Sequence, residues 1–246
     1  MQPGSPLTPR VSRLDLLRAV PAIGAFGVLL LAAASLAMPL GVSSLLTTGL
    51  AAVTAGLALA AHQAWSDRAF GLADGVTLVR AGLAATLLAP AIEDLHVPPS
   101  GTLALTALLL LALDGLDGWI ARRRGEASPF GARFDMEADT LLLAVLALLV
   151  LLSGRAGAWV LLAPALRPAF VIAGRVAPWL SAPLPASSRR KLCCVAPLAA
   201  LSLALAPSVG APLATLLALS AVLVLASSFA LDLCWLAARR GAGSAP

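Results

Sequence analysis

Four aspartates in a strongly apolar chain have the residue type and spacing to do chemistry. Asp114 and Asp117 stand three apart within Asp114-Gly115-Leu116-Asp117-Gly118-Trp119-Ile120-Ala121-Arg122. Asp135 and Asp139 stand four apart within Asp135-Met136-Glu137-Ala138-Asp139. Either spacing puts two carboxylates on one helix face. A carboxylate at the centre of a bilayer costs roughly 2.5–3.5 kcal/mol on insertion scales, so acids kept among apolar helices point to function. Four carboxylates gathered together repel one another unless cations lie between them. All-oxygen ligation suits a hard ion such as Mg²⁺ or Mn²⁺. Four acids can hold two such ions, the arrangement that clamps a phosphate during in-line displacement. Arg122 adds a fixed cation able to grip a phosphate with two parallel hydrogen bonds. Gly118 and Gly131 leave out side chains where a flat or bulky ligand could press on the backbone.

The elements that must position these residues are membrane helices. The chain has 246 residues, 60% of them hydrophobic and 12% charged. Its mean hydropathy is +0.94, whereas charged residues make up about a quarter of a soluble domain. The fold class is therefore all-α, a polytopic integral membrane protein with about eight transmembrane helices. The spans fall at 20–40, 43–65, 76–92, 102–121, 135–152, 156–174, 192–206 and 211–237. Pro21, Pro90, Pro164 and Pro168 lie inside them, where neighbouring helices tolerate proline. The fourth and fifth spans are joined by about a dozen residues, so they are expected to be antiparallel neighbours. Asp114 lies about 12 Å of helix rise from Arg122, which puts both aspartate pairs at a similar shallow depth.

Charge orients the spans. With the N-terminus inside, the inner segments hold Arg10, Arg13, Arg18, Arg68, Arg122, Arg123, Arg124, Arg133, Arg175, Arg189, Arg190, Lys191, Arg239 and Arg240. The outer loops hold Arg155 alone, and Arg80 and Arg167 fall inside spans. The positive-inside bias then places both termini and the aspartates on the cytoplasmic side. Trp65, Trp119, Trp159, Trp179 and Trp235 fall near span ends, as interfacial anchors do. The net charge of +5 follows from these loops. Without an interleaved aromatic and basic patch it does not indicate a nucleic-acid partner. Cys193, Cys194 and Cys234, odd in number, make no disulfide framework and are expected to act as small buried hydrophobes. A cleaved signal peptide is the alternative for the first forty residues, but the apolar run near 20 residues exceeds the usual h-region and favours a retained helix.

The pattern Asp114-x2-Asp117-Gly118-x2-Ala121-Arg122-x8-Gly131-x3-Asp135-x3-Asp139 resembles the signature of the CDP-alcohol phosphatidyltransferase family at every fixed position. At average residue frequencies, eight fixed positions would arise by chance in a chain this long on the order of once in 10⁷. Upstream, Asp74-Gly75-Val76-Thr77-Leu78-Val79-Arg80 resembles the family's Asn-x-x-Thr-x-x-Arg element, with Asp74 where Asn is usual. The resemblance implies a six-helix catalytic core over 69–240. It leaves a cytoplasmic tail at 1–19, two additional helices at 20–68 and a C-terminal tail at 241–246.

What the resemblance implies for the site is specific. Asp114, Asp117, Asp135 and Asp139 would ligand two Mg²⁺ or Mn²⁺ ions, and Asp139 would also take the proton from the acceptor hydroxyl. Gly118, Ala121 and Gly131 would make room for the cytidine. Arg122 would hold the diphosphate, Ser128 would contact the nucleotide, and Asp74 and Thr77 would close over CDP. The donor would be a CDP-activated lipid, the acceptor a small alcohol and the leaving group CMP. The setting would be phospholipid synthesis in a bacterial-type inner membrane, and the assembly a homodimer.

Four further cations are candidates for binding a phosphorylated acceptor. Arg167 is an intramembrane arginine, a functional candidate by default. Arg189, Arg190 and Lys191 open the seventh span, where they also serve as an orientation signal. Glu137, two residues from both Asp135 and Asp139, points away from the metal face. Two other functions are weighed. One is transfer from a soluble CDP-alcohol to a lipid or polyol phosphate. The other is a small cation transporter, which gives no reason for Gly118, Ala121, Arg122 and Gly131.

Overall fold

The computed structural model describes residues 72–124, 129–182, 184 and 187–242, with the backbone alone at 72–74, 93, 116–122, 124, 129, 130, 188 and 240–242. The tail at 1–19 and the two spans at 20–40 and 43–65 lie outside the described residues. Those described are all-helical, without a strand. In chain order they form α1 (Leu72–Thr86), α2 (Ala89–Glu93), α3 (Gly101–Arg124), α4 (Pro129–Leu152), α5 (Leu162–Val176), α6 (Ser188–Ala204) and α7 (Ala211–Ala242). Short 3-10 turns at Ala158–Leu161 and Pro178–Ser181 flank α5. Among the described residues, three stretches are long and apolar enough to cross a membrane, at Gly75–Ile92, Ala158–Val176 and Ala211–Arg239, and Gly101–Gly115 is a shorter apolar helix.

Two details of helix extent go beyond the expectations. The span expected over 76–92 is present as Gly75–Ile92 and is built of two helices. Leu87 and Leu88 donate to Ala84 O and Ala85 O, each at 3.2 Å, which tightens the end of α1 into a turn. Pro90, lacking an N–H and crowding the carbonyl four residues back, cannot continue α1 and instead sits in the first turn of α2. The loop between the aspartate helices is also shorter than expected. Helix α3 runs on to Arg124 and α4 starts at Pro129. Proline is preorganised for a first helical position, and Arg122, Arg123, Arg124 and Arg133 are good helix formers once outside hydrocarbon.

The chain divides into two compact units. The first comprises Met1–Ala89 and Leu113–Ala138. Among its described residues, Leu78, Ala81, Ala84, Ala85, Leu87 and Ala138 are buried, together with Thr77 and Arg80.

The second comprises Pro90–Ala112 and Asp139–Pro246. Its core is built on Leu142, Leu146, Leu149 and Val150 of α4, Leu198, Leu201 and Leu205 at α6, and Ala214, Ala218, Ala221 and Leu225 of α7. The α7 stripe recurs at helical spacing and is mostly alanine, whereas Leu213, Leu216, Leu219 and Leu223 of the same helix are exposed. Small residues let membrane helices approach closely, and large apolar side chains are left to face lipid. The cysteines depart from expectation on the same ground: Cys193 is half-buried, and Cys194 and Cys234 are exposed. In lipid a small apolar side chain gains nothing by being covered.

Arg155, the one cation that the charge pattern leaves outside, is consumed internally. Helix α4 closes on Gly154, whose φ of 68° suits a residue without Cβ. Gly154 donates to Leu151 O at 3.0 Å and Arg155 to Val150 O at 3.3 Å, the paired bonds of a Schellman cap. The buried Arg155 side chain then donates to Ala204 O at 2.8 Å and Ala206 O at 2.9 Å, capping the end of α6. Thr215 of α7 donates to Arg155 O at 2.7 Å. Charged hydrogen bonds each contribute about 1.5–3 kcal/mol. Arg155→Ala is therefore expected to destabilise the protein by about 3 kcal/mol, read as a lower unfolding midpoint in detergent. Turnover per folded molecule should be unchanged.

Candidate metal centre and active site

Helix α1 carries Thr77 and Arg80 on its packed side, 5% and 1% exposed. The Arg80 guanidinium donates through Nη1 to Asp114 Oδ1, from α3, and through Nη2 to Asp135 Oδ1, from α4, the latter at 2.5 Å. One helical turn beyond Asp135, the unbroken α4 carries Asp139. Asp114 and Asp135, both in the first unit and half-buried, are drawn together by the Arg80 guanidinium, and Asp139 is half-buried. Paired carboxylates offer the all-oxygen ligation that suits a hard divalent cation.

The remaining expected site residues fall into three groups. Gly131 lies in the first turn of α4, half-buried. Asp117, Gly118, Ala121 and Arg122 follow Asp114 on the last turns of α3, and Asp74 lies at the start of α1, all described by backbone alone. Ser128 lies outside the described residues. Glu137 is exposed and not part of the carboxylate grouping.

The acceptor candidates lie on α5 and at the start of α6, in the second unit. Arg167 of α5 donates to Thr140 Oγ1 at 2.6 Å, the residue after Asp139. Helix α6 starts at Ser188, four residues before its expected span, so Arg189, Arg190 and Lys191 form its first turn. Arg189 donates to Ser228 Oγ at 3.0 Å and to Asp232 Oδ1 at 2.6 Å, both on α7. Arg190 is half-exposed and Lys191 exposed.

Two residues that sequence reasoning left without a task acquire one. Asp232 is the partner of Arg189. Arg80 links two of the four aspartates, and its signal was present: an arginine inside an apolar span carries the same functional presumption that was given to Arg167.

Comparison with known proteins agrees with this geometry. The model of the family described as CDP-alcohol phosphatidyltransferase matches residues 70–231, which take in α1 through α6 and most of α7. Neither the curated proteins nor the solved structures yielded a match. The matched region contains all four aspartates and spans well over half the sequence. The chain thus belongs to the CDP-alcohol phosphatidyltransferase family.

Proposed function

We propose that the protein transfers a phosphatidyl group from CDP-diacylglycerol to a small alcohol and releases CMP, in phospholipid synthesis. The observation that carries this is the convergence of Asp114 and Asp135 on one buried guanidinium, that of Arg80, in a member of this family.

The chemistry follows from the residues. The acceptor hydroxyl is a weak nucleophile and needs a base within about 3 Å. Asp139 takes its proton. The freed oxygen attacks the lipid-side phosphorus, a new P–O bond forms, and the bond to the CMP oxygen breaks in line. Arg122 holds the diphosphate, Asp74, Thr77 and Ser128 hold the nucleotide, and Gly118, Ala121 and Gly131 leave it room. Two Mg²⁺ or Mn²⁺ ions held by Asp114, Asp117, Asp135 and Asp139 would offset charge on the bridging phosphates and improve CMP as a leaving group. A shallow site lets the donor keep its acyl chains in the bilayer while its nucleotide enters from water.

The same proposal covers the surroundings. Eight membrane helices, two of them at 20–68 added to a core at 69–240, sit in a bacterial-type inner membrane as a homodimer, with the termini and site cytoplasmic. Support comes from the charge asymmetry of the loops and from the family membership.

The test is CMP release by the purified protein, given CDP-diacylglycerol, Mg²⁺ or Mn²⁺ and a panel of alcohols. Turnover only with a water-soluble CDP-alcohol would move the assignment to that donor class. No release with any pair would sink it. The acceptor is assigned as anionic, through Arg167, Arg189, Arg190 and Lys191. Arg189→Ala combined with Arg190→Ala is expected to raise KM for a phosphorylated acceptor about tenfold or more, the loss of roughly one charged hydrogen bond. Neutral acceptors should be unaffected, and equal effects on both would remove this role.

A further inference from the structure

The proposed mechanism uses the aspartates and gives no task to Arg80. Yet at 1% exposure its guanidinium is the most deeply buried charge among the described residues. Its carboxylate partners Asp114 and Asp135 are both proposed metal ligands, and all three residues belong to the same compact unit. A guanidinium offers its N–H groups in a planar fork. One side chain from α1 therefore joins α3 through Nη1 and α4 through Nη2.

Two physical points decide whether such a cation stays when metal arrives. Withdrawing it from both acids would break two charged hydrogen bonds of a side chain that is 1% exposed, a strongly unfavourable change. A carboxylate, moreover, has about four lone-pair positions, so accepting an N–H does not by itself prevent it from ligating a metal. Charge is consistent with both being present: four aspartates and one arginine sum to −3, and two divalent ions bring the sum to +1, suited to an anionic diphosphate.

We propose that Arg80 is a permanent clamp, a positioning residue that holds Asp114 and Asp135 at ligating distance before metal binds and remains bonded to both afterwards. This role rests on the assignment of those aspartates as metal ligands. It contrasts with a placeholder, a cation that occupies the site only until metal displaces it. The two make opposite predictions, because removing a competitor tightens metal binding and removing a clamp weakens it.

Mn²⁺ binding to the full-length protein in detergent, followed by the EPR signal of free Mn²⁺, separates them. Arg80→Lys keeps the charge but replaces the fork with a single point donor that cannot span two carboxylates. It is expected to weaken Mn²⁺ binding at least tenfold, in the range seen when outer partners of metal ligands are lost. Arg80→Met should do the same. Unchanged or tighter binding by Arg80→Lys overturns the clamp. Absence of binding by the wild-type protein sinks the metal assignment and this role with it. Should either variant fail to fold, hydrogen exchange on the wild-type protein decides. Backbone amides within 76–86 and 129–138 should be protected already without metal and change less than about twofold on saturation with Mn²⁺. A tenfold or greater rise in protection on adding metal would mean that the ions assemble the site, and Arg80 would lose its role.

Discussion

Asp139→Asn is expected to slow CMP release by about a thousandfold with the fold intact. Asparagine has the same shape and keeps one oxygen for ligation, but it cannot hold a proton taken from the acceptor. General-base catalysis contributes typically 10²–10⁴-fold. Partial loss of a proposed metal ligand adds to this. The fold should tolerate the change because Asp139 is half-buried on an unbroken helix, Pro129–Leu152, whose packing rests on Leu142, Leu146 and Leu149 further along. The measurement is single-turnover CMP release, with helix content read by circular dichroism. A loss smaller than tenfold would show that some other group takes the proton. Asp139→Glu, which keeps the base but moves it by one methylene, should fall between.

Chelation is expected to have the second large effect. Two carboxylate charges held about 5 Å apart repel by roughly 3 kcal/mol at an effective dielectric near 20. Arg80 relieves part of that repulsion between Asp114 and Asp135, and divalent ions would relieve the rest. Removing divalent ions should lower turnover at least a hundredfold, and adding back Mg²⁺ or Mn²⁺ should restore it. Asp135→Ala removes one ligand and one Arg80 partner together, so no concentration of either ion should restore it fully. The check is CMP release across a metal titration after treatment with EDTA. Undiminished turnover in the chelator would exclude metal-assisted transfer.

The candidate carboxylates were legible before any coordinates. The spacing of Asp114 and Asp117, and of Asp135 and Asp139, specifies shared helix faces because 3.6 residues make a turn. The apolar spans were equally legible, since backbone polar groups in lipid must be satisfied within the segment. Helix ends were less so. Hydropathy marks where hydrocarbon stops, not where the helix stops, so Pro129–Leu152 begins six residues before its expected span and Ser188–Ala204 four before. The break after Thr86 was not legible for a related reason. Pro90 does lie within one apolar span, Gly75–Ile92, but its missing N–H and the two tight bonds at Leu87 and Leu88 divide that span into two helices.

Arg155, Arg167 and Arg189 make the same point about partners. Composition identifies each as an expensive cation near or inside the membrane. It does not say that Arg155 caps α6, that Arg167 meets Thr140, or that Arg189 pairs with Asp232. Those pairings join residues from 27 to 51 positions apart.

By itself the amino-acid sequence determined that this is a helical membrane protein of one enzyme family, and singled out the carboxylates proposed to carry its chemistry. Those properties are local: residue type, spacing along one helix, and length of an apolar run. Only the tertiary structure decided that Arg80 joins Asp114 to Asp135, and that the alanine side of Ala211–Ala242 packs while its leucine side is left exposed. Both depend on how each helix is rotated about its axis. In a chain whose helices are apolar on every side, hydropathy assigns no rotation; the fit of small residues and the pairing of buried charge do.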